Sequence, residues 1–111
     1  HDDTPLRYIL GKCGGGLEYL RSIKYKGIDA LLKKHYAGRP VAVRIQRKNE
    51  SFLDAANSLE EAGKKKNCSF VVLVTHEKGW ENFSHLLPRN MLIINRYETQ
   101  FELAVEKFFA C

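Results

Sequence analysis

Two polar residues that could bind a metal ion and orient a water molecule lie close together near the middle of the chain. In the stretch VAVRIQRKNE, residues 41–50, Gln46 and Lys48 have the same parity. Residues of one parity share a face of a β-strand, so the two side chains would project together, roughly 6–7 Å apart. An amide oxygen can bind a divalent cation, and a nearby lysine can orient water or neutralise charge on a phosphate.

A carboxylate, Asp29, precedes this pair by a distance that a β-hairpin can close. Residues 37–40 (AGRP) have turn chemistry, and apolar segments flank them at 27–35 and from residue 41 onward. With the loop near residue 38, antiparallel pairing predicts that Asp29 lies nearly opposite Gln46. A carboxylate, an amide oxygen and a lysine at one end of a hairpin are the components of a hydrolytic Mg²⁺ site.

The elements that must position these residues follow from the periodicity of the apolar residues. Leucine and isoleucine at helical spacing predict a short amphipathic helix over 17–23, and a second helix should run from an N-cap at Ser51 to a stop at Gly63. The run SFVVLVT, residues 69–75, is typical of a central strand buried on both faces. A short helix or loop over 80–87, a strand over 91–95 and a closing helix around 101–108 complete the chain.

This order predicts an α/β domain, a mixed β-sheet flanked by helices in the order α-β-β-α-β-(α)-β-α. Residues 1–15 are expected to be a flexible N-terminal segment or a remnant of cloning. Residues 16–111 are expected to form a single domain excised from a longer protein, and 111 residues suffice for one modest core.

The composition argues against a membrane span and against a disulfide framework. The apolar runs are too short to cross a bilayer, and no secretory signal opens the chain. The three cysteines are odd in number and include no CxxC pair, which favours a reducing, cytoplasmic setting over a zinc ribbon or a redox dithiol. The net charge of +5 and the pI near 9.2 are compatible with a polyanionic partner.

The spacing of the polar residues resembles a known nuclease motif. Gly-Ile-Asp at 27–29, sixteen intervening residues and Gln-Arg-Lys at 46–48 are similar to the motif of Mrr-type restriction endonucleases, in the PD-(D/E)XK nuclease superfamily. In the Mrr type, Gln commonly replaces the acid of the second half-motif. Gly-Leu-Glu at 16–18 loosely matches an acidic helix of the family, and the similarity covers about residues 16–95.

The resemblance implies a restriction-endonuclease-like sheet and a role for each matching residue. Asp29 would ligate Mg²⁺ or Mn²⁺, Gln46 would add its side-chain oxygen, and Glu18 would assist directly or through water. Lys48 would serve the attacking water. Two departures affect this assignment: Ile28 stands where the superfamily has Pro, and the amide of Gln46 has one negative charge fewer than Glu.

We therefore expect a Mg²⁺-dependent DNA endonuclease domain of a restriction or DNA-processing system in the prokaryotic cytoplasm. Other domains of a larger protein would choose the sequence, and a homodimer would supply the two active sites that a double-strand break needs. Basic residues near the site and after the second helix are expected to contact DNA phosphates: Lys12, Lys24, Lys26, Arg44, Arg47, Lys64, Lys65 and Lys66.

The residues alone leave several alternatives open. Asp29, Gln46 and Lys48 are also compatible with a solvated sheet face, and Arg44 with an ion pair to Asp29. The Gln in place of an acid favours a nuclease-fold module that has lost catalysis and only binds nucleic acid or a protein partner. A third alternative is a small α/β domain of unrelated function, such as a flavodoxin-like regulator, but no opening buried strand ends in acidic residues here.

Overall fold

The computed structural model describes residues 17–19, 27–36 and 38–95, which form a small α/β domain with a mixed five-stranded sheet. The elements, in chain order, are β1 (Leu17–Tyr19), β2 (Ala30–Tyr36), β3 (Arg39–Ile45), α1 (Phe52–Lys65), β4 (Phe70–Thr75), a 3₁₀ helix (Trp80–Leu86) and β5 (Met91–Asn95). The strands lie side by side in the order β1-β2-β3-β4-β5. No helix in these ranges is long and apolar enough to cross a membrane.

The sheet has an antiparallel half and a parallel half. β1, β2 and β3 pair antiparallel, whereas β3, β4 and β5 pair parallel. The ends of β3, β4 and β5 therefore meet the start of β2 at one edge of the sheet, which we call the carboxyl edge (residues 28–30, 45–51, 75–79 and 95). The opposite edge, where these three strands begin and α1 ends, is the amino edge (residues 38–40, 64–69 and 88–91).

Helix α1 begins where the sequence predicts. The side chain of Ser51 accepts a hydrogen bond from the backbone N–H of Asp54 at 3.1 Å, which caps the first turn. The apolar positions of the helix, which include Phe52, Ala55, Ala56 and Leu59, are buried against β3 and β4. This amphipathic stripe fixes the helix on the sheet between the two strands that it connects.

The predicted end of α1 at Gly63 is wrong, because the helix continues to Lys65. A Cβ at Gly63 would lie 2.6 Å from Val71 Cγ1, so glycine here allows close packing of α1 on β4. Asn67, with φ of 55°, makes the left-handed turn that ends the helix. The Cys68 N–H donates to the Gly63 carbonyl at 2.9 Å, as in a Schellman motif.

The helix predicted over 17–23 is also wrong where the structure describes it. Leu17–Tyr19 form strand β1, and Glu18 pairs with Leu31 of β2. The sequence apolar-polar-apolar over three residues satisfies both a strand and a helix period, and pairing along the edge of β2 decides between them. The remaining residues 20–23, residues 1–16 and the closing helix around 101–108 lie outside the described residues.

Both faces of the central strands are buried. Val41, Val43 and Ile45 alternate along β3 with Ala42 and Arg44, and all five side chains are buried. Residues 71–75 of β4 are buried without interruption, which confirms the prediction of a central strand covered on both faces. The core therefore extends to the last residues of the parallel strands, where the candidate site lies.

Candidate functional site at the carboxyl edge

The register of the β2–β3 hairpin differs from the predicted one by two residues. Close to the turn Tyr36 pairs with Arg39, and continuing that register would place Asp29 opposite Gln46. An irregularity between Leu32 and Tyr36 shifts the pairing, so that Ala30 lies opposite Val43. Asp29 therefore lies opposite the last residues of β3 and not, as the sequence predicted, opposite Gln46.

Asp29 uses both carboxylate oxygens to hold the chain at the end of β3. Its Oδ2 accepts hydrogen bonds from the Ile45 N–H at 2.6 Å and from Arg47 Nη1 at 2.7 Å, and its Oδ1 accepts from Arg47 Nη2 at 2.7 Å. The Asp29 side chain is 14% exposed and that of Arg47 is 36% exposed. This two-bond arrangement is the strong geometry for a guanidinium and a carboxylate, and it leaves Asp29 with an internal counterion.

Gln46 is only 4% exposed and lies between the ends of two strands. Both the oxygen and the nitrogen of its side-chain amide form hydrogen bonds within the protein. Its Oε1 accepts a hydrogen bond from the Thr75 hydroxyl of β4, and its Nε2 donates to the Glu50 carbonyl at 3.1 Å. The Thr75 oxygen in turn accepts from the Glu77 N–H at 2.9 Å. Gln46 thus joins the loop after β3 to the loop after β4.

Arg44 pairs with Glu50, so the alternative in which Arg44 forms an ion pair with Asp29 is wrong. Arg44 Nη2 lies 2.8 Å from Glu50 Oε2, and Arg44 Nε donates to Glu50 Oε1 at 3.3 Å. The Arg47 N–H also donates to Glu50 Oε1 at 2.7 Å. Each of the two arginines therefore has its own acid, and the turn at 46–50 is held by both pairs.

The interpretation of this strand as a solvated sheet face is wrong for two of its polar residues. Arg44 is 8% exposed and Gln46 is 4% exposed, whereas Lys48 is exposed. Lys48 belongs to the turn after β3, not to the strand itself. A polar group that is buried away from water needs a hydrogen-bond partner within the protein. The hydrogen bonds around Asp29 and Glu50 supply these partners.

The other predicted site residues are not gathered here. The backbone of Glu18 lies in β1, on the far side of β2 from β3, and its side chain is outside the described part of the structure, as are Lys12, Lys24 and Lys26. Residues 64–66 lie at the amino edge, at the opposite end of the sheet. The proposed DNA-contacting residues therefore divide between two edges.

The sequence prediction named Gln46 but missed the two other polar residues, Thr75 and Asn95, that form a row with it on consecutive strand ends. Gln46 follows β3, Thr75 ends β4, and Asn95 pairs with Thr75 at the end of β5. Asn95 Nδ2 donates to the Glu77 carbonyl at 3.0 Å, and His76 Nε2 lies 3.3 Å from the Arg47 carbonyl oxygen. Each member of the row closes a short apolar run, and this signal could have identified the row, since ligands of open α/β sheets bind beyond the carboxyl ends of the strands.

The described arrangement of these side chains does not fit a magnesium ion. Mg²⁺ requires oxygen ligands in nearly octahedral geometry, and no group of three or more His, Cys, Asp or Glu in the described ranges could hold a metal. Both oxygens of Asp29 are bonded to the Arg47 guanidinium, and the oxygen of Gln46 is bonded to Thr75. Magnesium dependence therefore stays a prediction.

A cysteine of the amino edge has a perturbed pKa. Burial raises the pKa of the Cys68 thiol, while the nearby positive charges of Lys66 and Arg39 lower it by smaller amounts. The thiol is held largely protonated at neutral pH, which makes it a weak nucleophile. Cys68 therefore serves as a small buried apolar residue, as its position before β4 predicts.

Comparison with known proteins adds no family assignment. No protein-family model, no curated protein and no solved structure matches this chain.

Proposed function

We propose that this domain is a nucleic-acid-binding module with a restriction-endonuclease-like sheet, in which the residues resembling a catalytic motif stabilise the fold. The observation that supports this most is the Asp29 carboxylate, whose two oxygens are bonded to the Arg47 guanidinium. The β-meander, the crossover through α1 and the parallel β4–β5 pair support the fold assignment.

The state of Asp29 favours binding over hydrolysis because a metal-ligating carboxylate must offer its oxygens to the ion. Here the guanidinium of Arg47 already neutralises the charge that would attract a cation, and the Ile45 N–H bonds to the same carboxylate. Releasing Asp29 would break three charge-assisted hydrogen bonds in a partly buried site. The arrangement therefore resembles a structural ion pair more than an open metal site.

The charge of the chain favours nucleic acid as the partner. The net charge is +5, and the exposed basic side chains of the described ranges are more numerous at the amino edge (Arg39, Lys64, Lys65 and Arg89) than at the carboxyl edge (Lys48 and Lys78). Neutralising phosphates releases condensed counterions, which drives the binding of basic domains to DNA. DNA is accordingly the partner that we propose, and a homodimer or a larger parent protein stays a prediction.

A binding assay and a cleavage assay on the same samples test the proposal. Fluorescence anisotropy of a labelled DNA duplex should show binding that persists in EDTA and is weakened by Mg²⁺, because the cation competes for the phosphates. Plasmid incubated with Mg²⁺ or Mn²⁺ should stay intact. Binding that disappears in EDTA, or the absence of binding at low salt, would contradict the proposal.

The second candidate function is the metal-dependent endonuclease. It is favoured by the position of Asp29, Gln46 and the exposed Lys48, which all lie at the carboxyl edge. In this case Arg47 would have to leave Asp29 before a metal could bind. Plasmid cleavage that is lost in both Asp29→Asn and Lys48→Ala would establish this function, and cleavage that survives in both would identify a contaminating nuclease.

A further inference from the structure

The amino edge carries a group of basic side chains that come from three different elements. Arg39 begins β3, residues 64–66 end α1, and Arg89 precedes β5. Arg39, Lys64, Lys65 and Arg89 are exposed, and Lys66 is half-buried. None of these residues belongs to the motif that resembles a nuclease.

The parallel strands bring these residues side by side. The Ser69 N–H donates to the Pro40 carbonyl at 2.9 Å, and the Val71 N–H donates to the Asn90 carbonyl at 2.9 Å, so the starts of β3, β4 and β5 are tied together. Adjacent strands lie about 4.8 Å apart, so the backbones of Arg39 and Arg89 are separated by about 10 Å. A DNA duplex presents one phosphate charge per about 1.7 Å of its axis, so a row of this length faces several phosphates.

Four basic groups of the amino edge, Arg39, Lys64, Lys65 and Arg89, are little neutralised by the described acids. Lys64 forms an exposed pair with Glu60 at 3.8 Å, and Arg39 contacts the neutral side chain of Asn67 at 3.5 Å. In the ranges that the structure describes, no carboxylate forms an ion pair with Arg39, Lys65 or Arg89. A positive field of several groups therefore faces solvent here.

A structural role explains only part of this cluster. Lysines in the last turn of a helix interact favourably with the helix dipole, which accounts for Lys64 and Lys65. It does not account for Arg39, which begins β3, or for Arg89, which lies in the turn before β5. The shared feature of all these residues is their position on one edge, not their position on one helix.

We infer that the amino edge, with Arg39, Lys64, Lys65, Lys66 and Arg89, binds the phosphate backbone of duplex DNA. The inference rests on the proposed nucleic-acid binding and locates it at the opposite end of the sheet from the nuclease-like residues. Contacts to phosphates fix the position of a protein on DNA without selecting a base sequence, and they weaken as salt rises. Binding at this edge is therefore independent of sequence and steeply dependent on salt.

Two double variants with equal charge change separate the edges. Lys65→Gln/Arg89→Gln removes two exposed cations from the amino edge, and Lys48→Gln/Lys78→Gln removes two from the carboxyl edge. Both lower the net charge from +5 to +3. The dissociation constant of a labelled DNA duplex is measured for each protein over a series of salt concentrations, and circular dichroism checks that each variant is folded.

The amino-edge double variant should bind at least about tenfold more weakly. It should also reduce the magnitude of the negative slope of the logarithm of the association constant against the logarithm of salt concentration by about 1.8, which corresponds to two phosphate contacts. The carboxyl-edge variant should change the affinity less than about threefold. A larger loss in the carboxyl-edge variant, or equal losses in both, would overturn the inference and leave the proposed function intact. Absence of binding by the unaltered protein at low salt would overturn both.

Discussion

The two edges of this sheet differ in how many of their charged residues are buried and paired within the protein. At the carboxyl edge Asp29 is paired with Arg47 and Arg44 with Glu50, and these groups are partly or fully buried. At the amino edge Arg39, Lys65 and Arg89 face solvent, and none of them pairs with a described carboxylate. The buried charges of the carboxyl edge are thus paired within the protein, and its exposed cations are Lys48 and Lys78, whereas the amino edge exposes a larger group of cations.

The physical reason lies in what covers each edge. The chain turns back over the carboxyl edge at residues 46–50, so polar groups there lose water and need partners within the protein. At the amino edge the chain leaves α1 through the turn at Asn67, which keeps the neighbouring lysines in solvent at little cost. A residue type that could take part in catalysis or binding therefore indicates a functional site only when its burial and its partners are also known.

The largest expected effect is the loss of stability on removing the carboxylate of the buried edge. Asp29→Ala leaves Arg47 and the Ile45 N–H without their acceptor, and we expect the free energy of unfolding to fall by about 3 kcal/mol. Urea unfolding followed by fluorescence of Trp80, the single tryptophan of the chain, measures it.

The control for this prediction is Asp29→Asn, which keeps the shape and one oxygen acceptor and should cost less than the alanine variant. A rise in stability in both variants would show that Asp29 is an unneutralised carboxylate, as at an open metal site, and would remove the contrast between the two edges.

A smaller loss of stability is expected when the acid of the nuclease motif is restored. In Gln46→Glu the donor to the Glu50 carbonyl is replaced by an acceptor at a site that is 4% exposed, and we expect a loss of about 2 kcal/mol at pH 7. The variant should gain no plasmid cleavage in Mg²⁺. Thr75→Val, which removes both the donor to Gln46 Oε1 and the acceptor of the Glu77 N–H, serves as the comparison for loss of hydrogen bonds in the same network without an added charge. Cleavage gained by Gln46→Glu would instead favour the endonuclease.

Much of the fold, but less of the candidate site, could be predicted from the sequence. The strands at 70–75 and 91–95 and the Ser51 cap follow from apolar runs and cap chemistry, which are local signals. The pairing register could not be predicted, because the irregularity between Leu32 and Tyr36 has no signature in residue types. Gly63 resembled a helix stop because glycine is required both in helix-ending turns and where a helix packs closely on a strand, as α1 does on β4.

The site shows the same division between local and long-range information. Parity placed Asp29 and Gln46 at the same edge, and the structure brings them there. The choice of partners was not predicted, since strand parity placed Arg44 on the same face as Asp29 and Arg47 on the other face. The turn after Ile45 decides that choice by directing Arg47 to Asp29 and Glu50 to Arg44.

At the amino edge, removing charge should leave stability almost unchanged. We expect Lys65→Gln/Arg89→Gln to alter the free energy of unfolding by less than about 0.5 kcal/mol, because both side chains are exposed. The same urea titration as for Asp29→Ala provides the measurement. A loss of about 2 kcal/mol or more would mean that these residues have structural partners, and the two edges would then be alike.

The smallest expected effect is electrostatic and concerns the buried thiol beneath the amino edge. Burial raises the pKa of Cys68 above its ordinary value of 9.0, and Lys66 and Arg39 oppose this rise. Because the folded-state pKa is the higher one, the contribution of the protonated thiol to stability is complete below about pH 9 and is lost as the pH rises through the folded-state value. The urea midpoint should therefore fall above pH 9 more steeply in the unaltered protein than in Cys68→Ala.

Arg39→Gln should raise the pKa of Cys68 further and slow its alkylation by iodoacetamide, measured on the Cys68 peptide by mass spectrometry, whereas Lys48→Gln at the carboxyl edge should not. Equal effects of the two substitutions would mean that the field at Cys68 reflects the net charge of the chain. A specific effect of Arg39→Gln would instead show that the charge of Arg39 acts on the thiol because the two groups are close.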